Sequence, residues 1–191
     1  MTVQTPWGYT VESLSSMITV ATFKNICPGL SSTDEQIQAV LNSVSSAIRD
    51  YCGWHVGPSL ACTFTGEGDG RLLMLPGMGV TAVSSLEISG VAVTDYEWTA
   101  AGMVRLKSSA FPDEWRSVEC VYTAGFSADS IGQVVAQIAS NALAAAPGVA
   151  NERAGNVSIT YNQTGAGITG GVSLLPRDYD LLAPYKLARA R

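Results

Sequence analysis

The spacing of apolar residues changes twice along this chain of 191 residues, and it constrains the fold more than any other feature. Apolar side chains recur every three or four residues over 33–53, alternate over 61–126, and return to the longer spacing over 127–148. A spacing near 3.6 residues fits one face of a helix, whereas alternation fits a half-buried strand. The pattern therefore predicts two long helices on either side of a small β-rich region.

The first long helix has recognisable ends. Thr33 or Ser32 is its expected N-cap, Asp34 and Glu35 suit the positive end of the helix dipole, and Gly53 ends it. One apolar face is expected from six residues: Ile37, Val40, Leu41, Val44, Ile48 and Tyr51.

The second long helix is predicted from Ser127 or Asp129, as its cap, to Pro147 and Gly148, which stop it. Its apolar face comprises Ile131, Val134, Val135, Ile138, Ala142 and Leu143. Upstream of both, "LSSMITVATFKNICPG" predicts a shorter helix that ends before Pro28, although its β-branched run leaves a strand open.

Glycine-rich turns separate the segments that alternate. The predicted strands are "ACTFTG", "RLLMLP", "VSSLEISG", "YEWTAAGMVRLK" and "RSVECVYTAG", with "GEGDG" and "PGMG" as turns. After residue 148, "NVSITYNQ" predicts one more strand and "TGAGITGG" a glycine hinge, and the chain continues with "LLPRDYDLLAPYKLARAR".

These elements predict an α+β protein: mainly a helical bundle, with an inserted small antiparallel β-region and an extended C-terminal arm. The predicted core covers residues 1–148, with the β-rich insertion at about 61–126, and the arm covers 149–191. An arm with leucines and tyrosines but little core of its own is expected to need a partner.

Composition excludes several classes of protein. Apolar residues make up 47% of the chain and charged residues only 14%, which predicts a packed protein. The net charge of −5 argues against a protein whose main task is to bind nucleic acid, because phosphate binding requires a basic surface. Low charge together with 19 glycines favours close contact with other proteins.

The four cysteines are predicted to be buried free thiols, since no CxxC pair offers zinc-ligand spacing. They are Cys27, Cys52, Cys62 and Cys120. The chain shows no secretory signal and no run of roughly 20 apolar residues, which a membrane span requires. We therefore expect it to act in the cytoplasm or in a particle assembled there, without contact to a membrane.

No catalytic, cofactor-binding or metal-binding residue is predicted. Gly165, Gly167 and Gly170 match GxGxxG, but no helix follows and no βαβ unit surrounds them, so the match does not indicate a dinucleotide site. The single histidine, His55, is interpreted as a packed or surface residue rather than a general base. The adjacent carboxylates of "FPDEW" are interpreted as ordinary surface.

Three stretches form an ordered set: "DEQIQAVLNSVSSAIRDYCGW", "LPGMGVTAVSSLEISGVAVTDYEWTAAGMVRL", and "VVAQIASNALAAAPGVANERAGNVSITYNQ" followed by "LLPRDYDLLAPYKL". Their order and spacing resemble the head-to-tail connector, or adaptor, proteins of tailed bacteriophages. The long β-rich region departs from that family, and the N-terminal "MTVQTPWGYTVESLSS" has no counterpart in it. Trp7 and Tyr9 in that segment are candidates for a second contact arm.

The resemblance implies a structural virion protein rather than an enzyme. Such a protein forms a homo-oligomeric ring, commonly of twelve copies, below the portal vertex of the capsid, in the neck of the virion. Its implied partners are the portal protein and a stopper or tail-completion protein. DNA would pass through the lumen without sequence-specific binding, and no cofactor is implied.

The resemblance also implies that the C-terminal segment reaches the portal. The implied docking residues are Leu174, Leu175, Tyr179, Leu181, Leu182 and Tyr185. Three of them, Leu181, Leu182 and Tyr185, fit one face of a short helix that Pro184 limits. Contacts to acidic portal groups or DNA are expected from Lys186, Arg189 and Arg191.

Other interpretations remain open at this point. The tail alternatively folds back on its own bundle, which leaves its basic residues solvated. A stopper or tail-terminator protein of the same neck region would place the arm on the tail side, and an enzyme would need a cleft within the β-region.

Overall fold

The computed structural model describes residues 2–144 and 174–187, together with the backbone of four short strands between them. The described residues form two compact units. The β unit contains the chain up to Leu14 together with Gly53–Phe126, and the helical unit contains Ser15–Cys52 and Ser127–Lys186. The chain therefore contributes to the β unit twice, with helical segments in between.

Two antiparallel sheets make up the β unit. The larger sheet has the strand order β1-β2-β3-β9-β5-β6, and the smaller has the order β4-β8-β7. These strands are β1 (Val3–Gln4), β2 (Tyr9–Val11), β3 (Leu60–Gly66), β4 (Leu72–Met74), β5 (Ala82–Ile88), β6 (Val91–Ala92), β7 (Tyr96–Trp98), β8 (Met103–Leu106) and β9 (Val118–Ala124).

Alternation along the central strand β9 decides which side of the larger sheet faces the core. Val118, Cys120, Tyr122 and Ala124 are fully buried, and the residues between them are more exposed. Cys62 lies opposite Tyr122 in the ladder and points the same way. Buried side chains of both sheets form one apolar cluster that includes Tyr9, Val11, Leu73, Leu75, Val80, Leu86, Val104, Leu106 and Phe111.

The helical unit is built around α3, which packs against α1, α2 and α4. Its helices are α1 (Val20–Ile26), α2 (Asp34–Cys52), α3 (Ala128–Ala144) and α4 (Pro176–Leu182), the last followed by a 3₁₀ turn at Ala183–Tyr185. Two hairpins pair β10 (Asn151–Ala154) with β11 (Val157–Thr160), and β12 (Gln163–Gly165) with β13 (Ile168–Thr169). Within the described residues, no helix is long and apolar enough to cross a membrane.

The start of α2 is fixed by a reciprocal cap. The Thr33 hydroxyl accepts a hydrogen bond from the Gln36 N–H at 3.3 Å, and the Gln36 side-chain oxygen accepts one from the Thr33 N–H at 2.9 Å. Each bond satisfies a backbone donor that the helix cannot pair. Thr33 is thus the cap, and the expected apolar face is buried at Ile37, Leu41, Val44 and Ile48.

Contacts at the start of the helical unit explain how α1 meets its neighbours. The Thr19 hydroxyl caps α1 by accepting from the Thr22 N–H at 3.1 Å. The buried Ser45 hydroxyl accepts from the Met17 N–H at 3.0 Å. Gly132 of α3 lies beside Ile18, and a Cβ atom there would be in ordinary contact with the Ile18 side chain at 3.4 Å. The segment "LSSMITVATFKNICPG", for which the sequence allowed either a helix or a strand, therefore contains a helix that begins at Val20.

The predicted α+β class is confirmed, but the prediction of a mainly helical protein is wrong. The helices in the described residues have 7, 19, 17 and 7 residues, and the β unit supplies nine strands beside them. Strands β1, β2 and β6 were not predicted. They have two, three and two residues, which is too few to show alternation of apolar and polar side chains.

The N-terminal segment is part of the larger sheet, so the expectation of a second contact arm there is wrong. Tyr9 is only 1% exposed and lies in the core of the β unit, in the strand that pairs with β3. The Trp7 ring stacks on it, with 6.2 Å between ring centroids.

Several predictions concern residues after 144. The predicted boundary between 148 and 149 lies outside the described residues. The strand β11 falls within the predicted "NVSITYNQ" strand, and β12 and β13 form where a glycine hinge was predicted.

A buried hydrogen-bond network joins three segments of the β unit that are distant in sequence. The Tyr9 hydroxyl lies 2.7 Å from His55 Nδ1 and accepts from the His55 backbone N–H at 3.0 Å. His55 Nε2 donates to the Ala124 carbonyl oxygen at 2.9 Å, which leaves Nδ1 to accept the Tyr9 O–H. Both nitrogens of this fully buried ring are therefore used for structure, in agreement with its interpretation as a packed residue.

Gly125 adjoins this network, and a substitution there tests how tightly the network is packed. It has a φ of +117°, and a Cβ atom would lie 2.6 Å from the Pro58 carbonyl oxygen and 2.8 Å from His55 Nε2. We expect Gly125→Ala to lower the free energy of unfolding by about 3 kcal/mol, because strain and overlap add. Urea denaturation measures this. Gly90→Ala is the control: its φ is +78° with nothing within 4 Å, so we expect about 1 kcal/mol, and equal losses would contradict the packing argument.

The Tyr9 hydroxyl allows a second test with a matched control. Tyr9→Phe leaves His55 Nδ1 and its backbone N–H without this partner, so we expect a loss of about 2 kcal/mol of unfolding free energy. Tyr122→Phe removes an equally buried hydroxyl whose described polar neighbour is the Cys62 thiol, a weak hydrogen-bond partner, and it is expected to be close to neutral. Thermal and urea unfolding of both variants would show no difference if the network were unimportant.

Candidate docking surface

The described part of the predicted docking segment begins with a helix whose first turn is fixed locally. Pro176 occupies the first turn of α4, where a backbone N–H is not needed. The Asp178 carboxylate accepts a hydrogen bond from the Leu175 N–H at 2.8 Å. Asp178 is 1% exposed, and Arg177 Nε lies 3.6 Å from its other carboxylate oxygen. The segment therefore supplies the bonds that start its own helix.

One side of this segment packs against the rest of the helical unit. Leu182 is fully buried, and the Tyr179 ring meets the Tyr51 ring of α2 with 4.8 Å between centroids. Lys186 Nζ lies 4.8 Å from the centroid of the same Tyr51 ring, a cation–π contact. The Tyr185 hydroxyl donates to the Ser130 carbonyl oxygen at 3.1 Å. The described tail thus folds back on its own helical unit, as one of the open interpretations expected.

Part of α4 remains accessible, including the portion of Tyr179 that Tyr51 does not cover. Tyr179 and Leu181 are 40% and 43% exposed, and Asp180 between them is exposed as well. Successive helical residues are rotated by about 100°, so Leu181 and the buried Leu182 cannot share a face. We name the three accessible residues Tyr179, Asp180 and Leu181 the α4 strip; together they cover about 200° of the helix circumference.

The remaining predicted docking residues have different surroundings. Leu174 and Leu175 are half-buried before the helix, and Tyr185 is half-buried after it. Lys186 is exposed along its length apart from its contact with Tyr51. Arg189 and Arg191 lie outside the described residues. The structure therefore divides the predicted set into anchors and exposed side chains.

The chemistry around α4 is that of a packing surface. Burial raises the pKa of the Cys52 thiol to about 12, and the charge of Lys186 opposes part of that rise. The thiol is therefore protonated and unreactive near neutral pH. All four cysteines are free, and all but the half-buried Cys27 are buried, which confirms the prediction of free thiols. In the part of the chain described here, no cluster of His, Cys, Asp or Glu could hold a metal ion.

No protein-family model matches the chain, and no curated protein sequence matches it. Its fold is similar to that of chains in solved particle structures. One belongs to the neck of the native GTA particle computed with C12 symmetry, and another to the neck of the empty GTA particle computed with C6 symmetry. Each has a TM-score of 0.60 at 16% identity, over 100% of this chain and 97% of that chain.

A third similar chain comes from the virion of the native gene transfer agent (GTA) particle. Its TM-score is 0.60 at 16% identity, and the alignment covers 96% of this chain and 97% of that chain. At this identity the likeness establishes the fold. Because it extends over nearly the full length of both chains, it includes the β unit and the helical unit alike.

The adjacent residues Leu181 and Leu182 of α4 differ in burial, so substituting each one tests the described packing of this helix. Leu182→Ala is expected to lower the free energy of unfolding by about 2–5 kcal/mol, because it empties space around a fully buried side chain. Leu181→Ala removes the same atoms from a side chain that is 43% exposed, so a loss below about 1 kcal/mol is expected. Thermal unfolding compares the two, and equal losses would show that the described burial of α4 is wrong.

Proposed function

We propose that the chain is a structural protein of the neck of a phage-like particle, and specifically a head-to-tail connector subunit. The observation that supports this is the similarity of fold, over essentially the whole chain, to chains of GTA particle necks. The motif order that resembles bacteriophage adaptors points the same way from sequence. No enzymatic activity forms part of the proposal.

The proposed assembly is a ring, with twelve copies as the expected number. Two of the similar chains belong to necks computed with C12 and C6 symmetry, and twelve copies are compatible with both. A net charge of −5 suits a ring through which DNA passes without being held, because attraction to phosphate would slow its passage. The ring would lie between the portal and a stopper or tail-completion protein.

The α4 strip is the proposed portal contact. Leu181 and Tyr179 are large apolar side chains that remain 43% and 40% exposed on a helix that the buried Leu182 anchors. A helix held in place by its own unit loses little conformational freedom on binding, which favours affinity. Leu182 and Tyr185, which were implied as contacts, would act here as the anchors that hold the strip in position.

Point substitutions test this better than removal of the tail, because deleting α4 would also uncover the surface that Leu182 buries. The experiment is co-sedimentation of the purified chain with the portal ring encoded in the same genome. We expect Leu181→Arg to weaken binding at least about tenfold, because it places a charge at an apolar contact. Ala39→Arg, which adds the same side chain at an exposed position of α2, is expected to bind as the wild type does.

Each result has a distinct meaning. If both substitutions leave binding intact, the α4 strip is not the portal contact, and the connector role stands without it. If the wild-type chain does not sediment with the portal, the connector role fails. A stopper or tail-terminator role would then be tested with the tail tube as the binding partner.

A further inference from the structure

The smaller sheet of the β unit has apolar side chains on its outer face. Leu72, Met74 and Met103 are 44%, 61% and 38% exposed. In the β4–β8 ladder Met74 lies directly opposite Met103, and Leu72 lies two residues along on the same side. These three side chains form one patch, which we name the β4–β8 patch.

The opposite face of the same sheet is already used. Leu73, Val104 and Leu106 are fully buried and belong to the apolar cluster of the β unit. Antiparallel sheets that face water on one side normally carry polar residues there. Three exposed apolar side chains on the outer face, beside the charged Arg105 and Glu97, therefore indicate a surface that another molecule covers.

One cation adjoins the patch. Arg105 is exposed and lies directly opposite Leu72 in the β4–β8 ladder and opposite Glu97 in the β7–β8 ladder. Within the described residues it forms no ion pair; the nearby pair joins Lys107 to Glu97, with 3.6 Å between their charged atoms. A partner that covers the patch would therefore fit best with an acidic group beside an apolar one.

The β unit also carries a projecting surface with the opposite charge. Trp115 is 82% exposed, the highest value among the large apolar side chains of the described residues. It forms a ridge that lines two depressions, of about 520 and 420 Å³. The smaller depression is also lined by four carboxylates: Glu67, Asp69, Asp113 and Glu114.

We propose that the Trp115 loop, residues 112–116, of one copy binds the β4–β8 patch of a second copy. The contact would join Trp115 to the Met74 and Met103 side chains, since sulfur–aromatic contacts are favourable and methionine adapts its shape. Asp113 and Glu114 would approach Arg105 and pair with a cation that forms no ion pair within the described residues. This inference rests on the proposed function, because it assigns the surfaces that join neighbouring subunits of the ring.

The two surfaces differ, so the contact is heterologous: each copy offers its loop to one neighbour and its patch to the other. Contacts of this type form closed rings when the rotation between copies closes. Nucleic acid does not fit this loop, because the four carboxylates at the smaller depression outnumber the one cation of the loop, Arg116, and would repel phosphate. The loop of a second copy offers an aromatic side chain for the apolar patch and carboxylates for Arg105.

Charge reversal tests the pairing. Assembly is measured by sedimentation velocity of the purified chain, alone and bound to the portal ring. We expect Arg105→Glu and the double variant Asp113→Arg with Glu114→Arg each to weaken assembly at least about tenfold. Combining all three substitutions should restore assembly, because the charges are complementary again. Glu12→Arg, at an exposed position of the β unit, is the control and should assemble normally.

The apolar part has its own matched pair. Trp115→Ala is expected to weaken assembly at least about tenfold without loss of thermal stability, since its side chain is 82% exposed. Val91→Ala, at a side chain that is 67% exposed on β6, should leave assembly unchanged.

Disulfide trapping distinguishes the arrangement. Met74→Cys and Glu114→Cys in one chain should give, on oxidation, a ladder of cross-linked multimers, because every contact joins a different pair of copies. Cross-linking of the Met74→Cys chain with itself would overturn the proposal, as would rings that none of the substitutions disturb. If the wild-type chain forms no ring, alone or on the portal, the proposed function and this inference both fail.

Discussion

The β unit depends on the buried contact between Tyr9, His55 and Ala124. These residues come from the first strand pair, from the chain that follows α2, and from the end of β9. Their hydrogen bonds join the three at one point, in addition to the pairing of β2, β3 and β9. Gly125 follows directly, and its positive φ leads the chain away where any Cβ atom would overlap the Pro58 carbonyl and the His55 ring. The side chain of one buried histidine thus connects Tyr9 of β2 with Ala124 of β9.

Sequence predicted the elements with strong periodicity and missed those without it. The two long helices and the strands around "ACTFTG" and "VECVYTA" carry enough residues for their spacing to be read, and the structure has them at nearly the expected bounds. Strands β1 and β2 could not be recognised because pairing defines them: β1 pairs with β2, and β2 pairs with β3, a partner about fifty residues away. Long-range pairing, rather than the local preference of these residues, therefore accounts for strands that the sequence did not predict.

The candidate surfaces show the same division. Sequence identified α4 as an apolar segment, but spacing alone could not say that Leu182 and Tyr185 turn inward while Leu181 turns outward. Burial depends on what the neighbouring helices offer, here Tyr51 of α2 and Ser130 of α3. For the β4–β8 patch a signal was present: "RLLML" and "GMVRL" place apolar residues on both faces of their strands. The segment "FPDEW" was interpreted as ordinary surface because of its adjacent carboxylates, and the exposed aromatic Trp115 beside them was not considered separately.

The interleaving of the two units affects how the chain acquires its structure. Val11 pairs with Cys62, although the sequences of α1 and α2 lie between them along the chain. Likewise α2 packs on α3, although most of the sequence of the β unit separates the two helices. Loops of this length must close before either unit gains its stabilising contacts, and such high contact order slows folding. During synthesis the N-terminal strands and α2 would both emerge long before their partners. Newly made chains would therefore expose edge strands and an apolar helix face for some time, a period in which chaperones could protect them from aggregation.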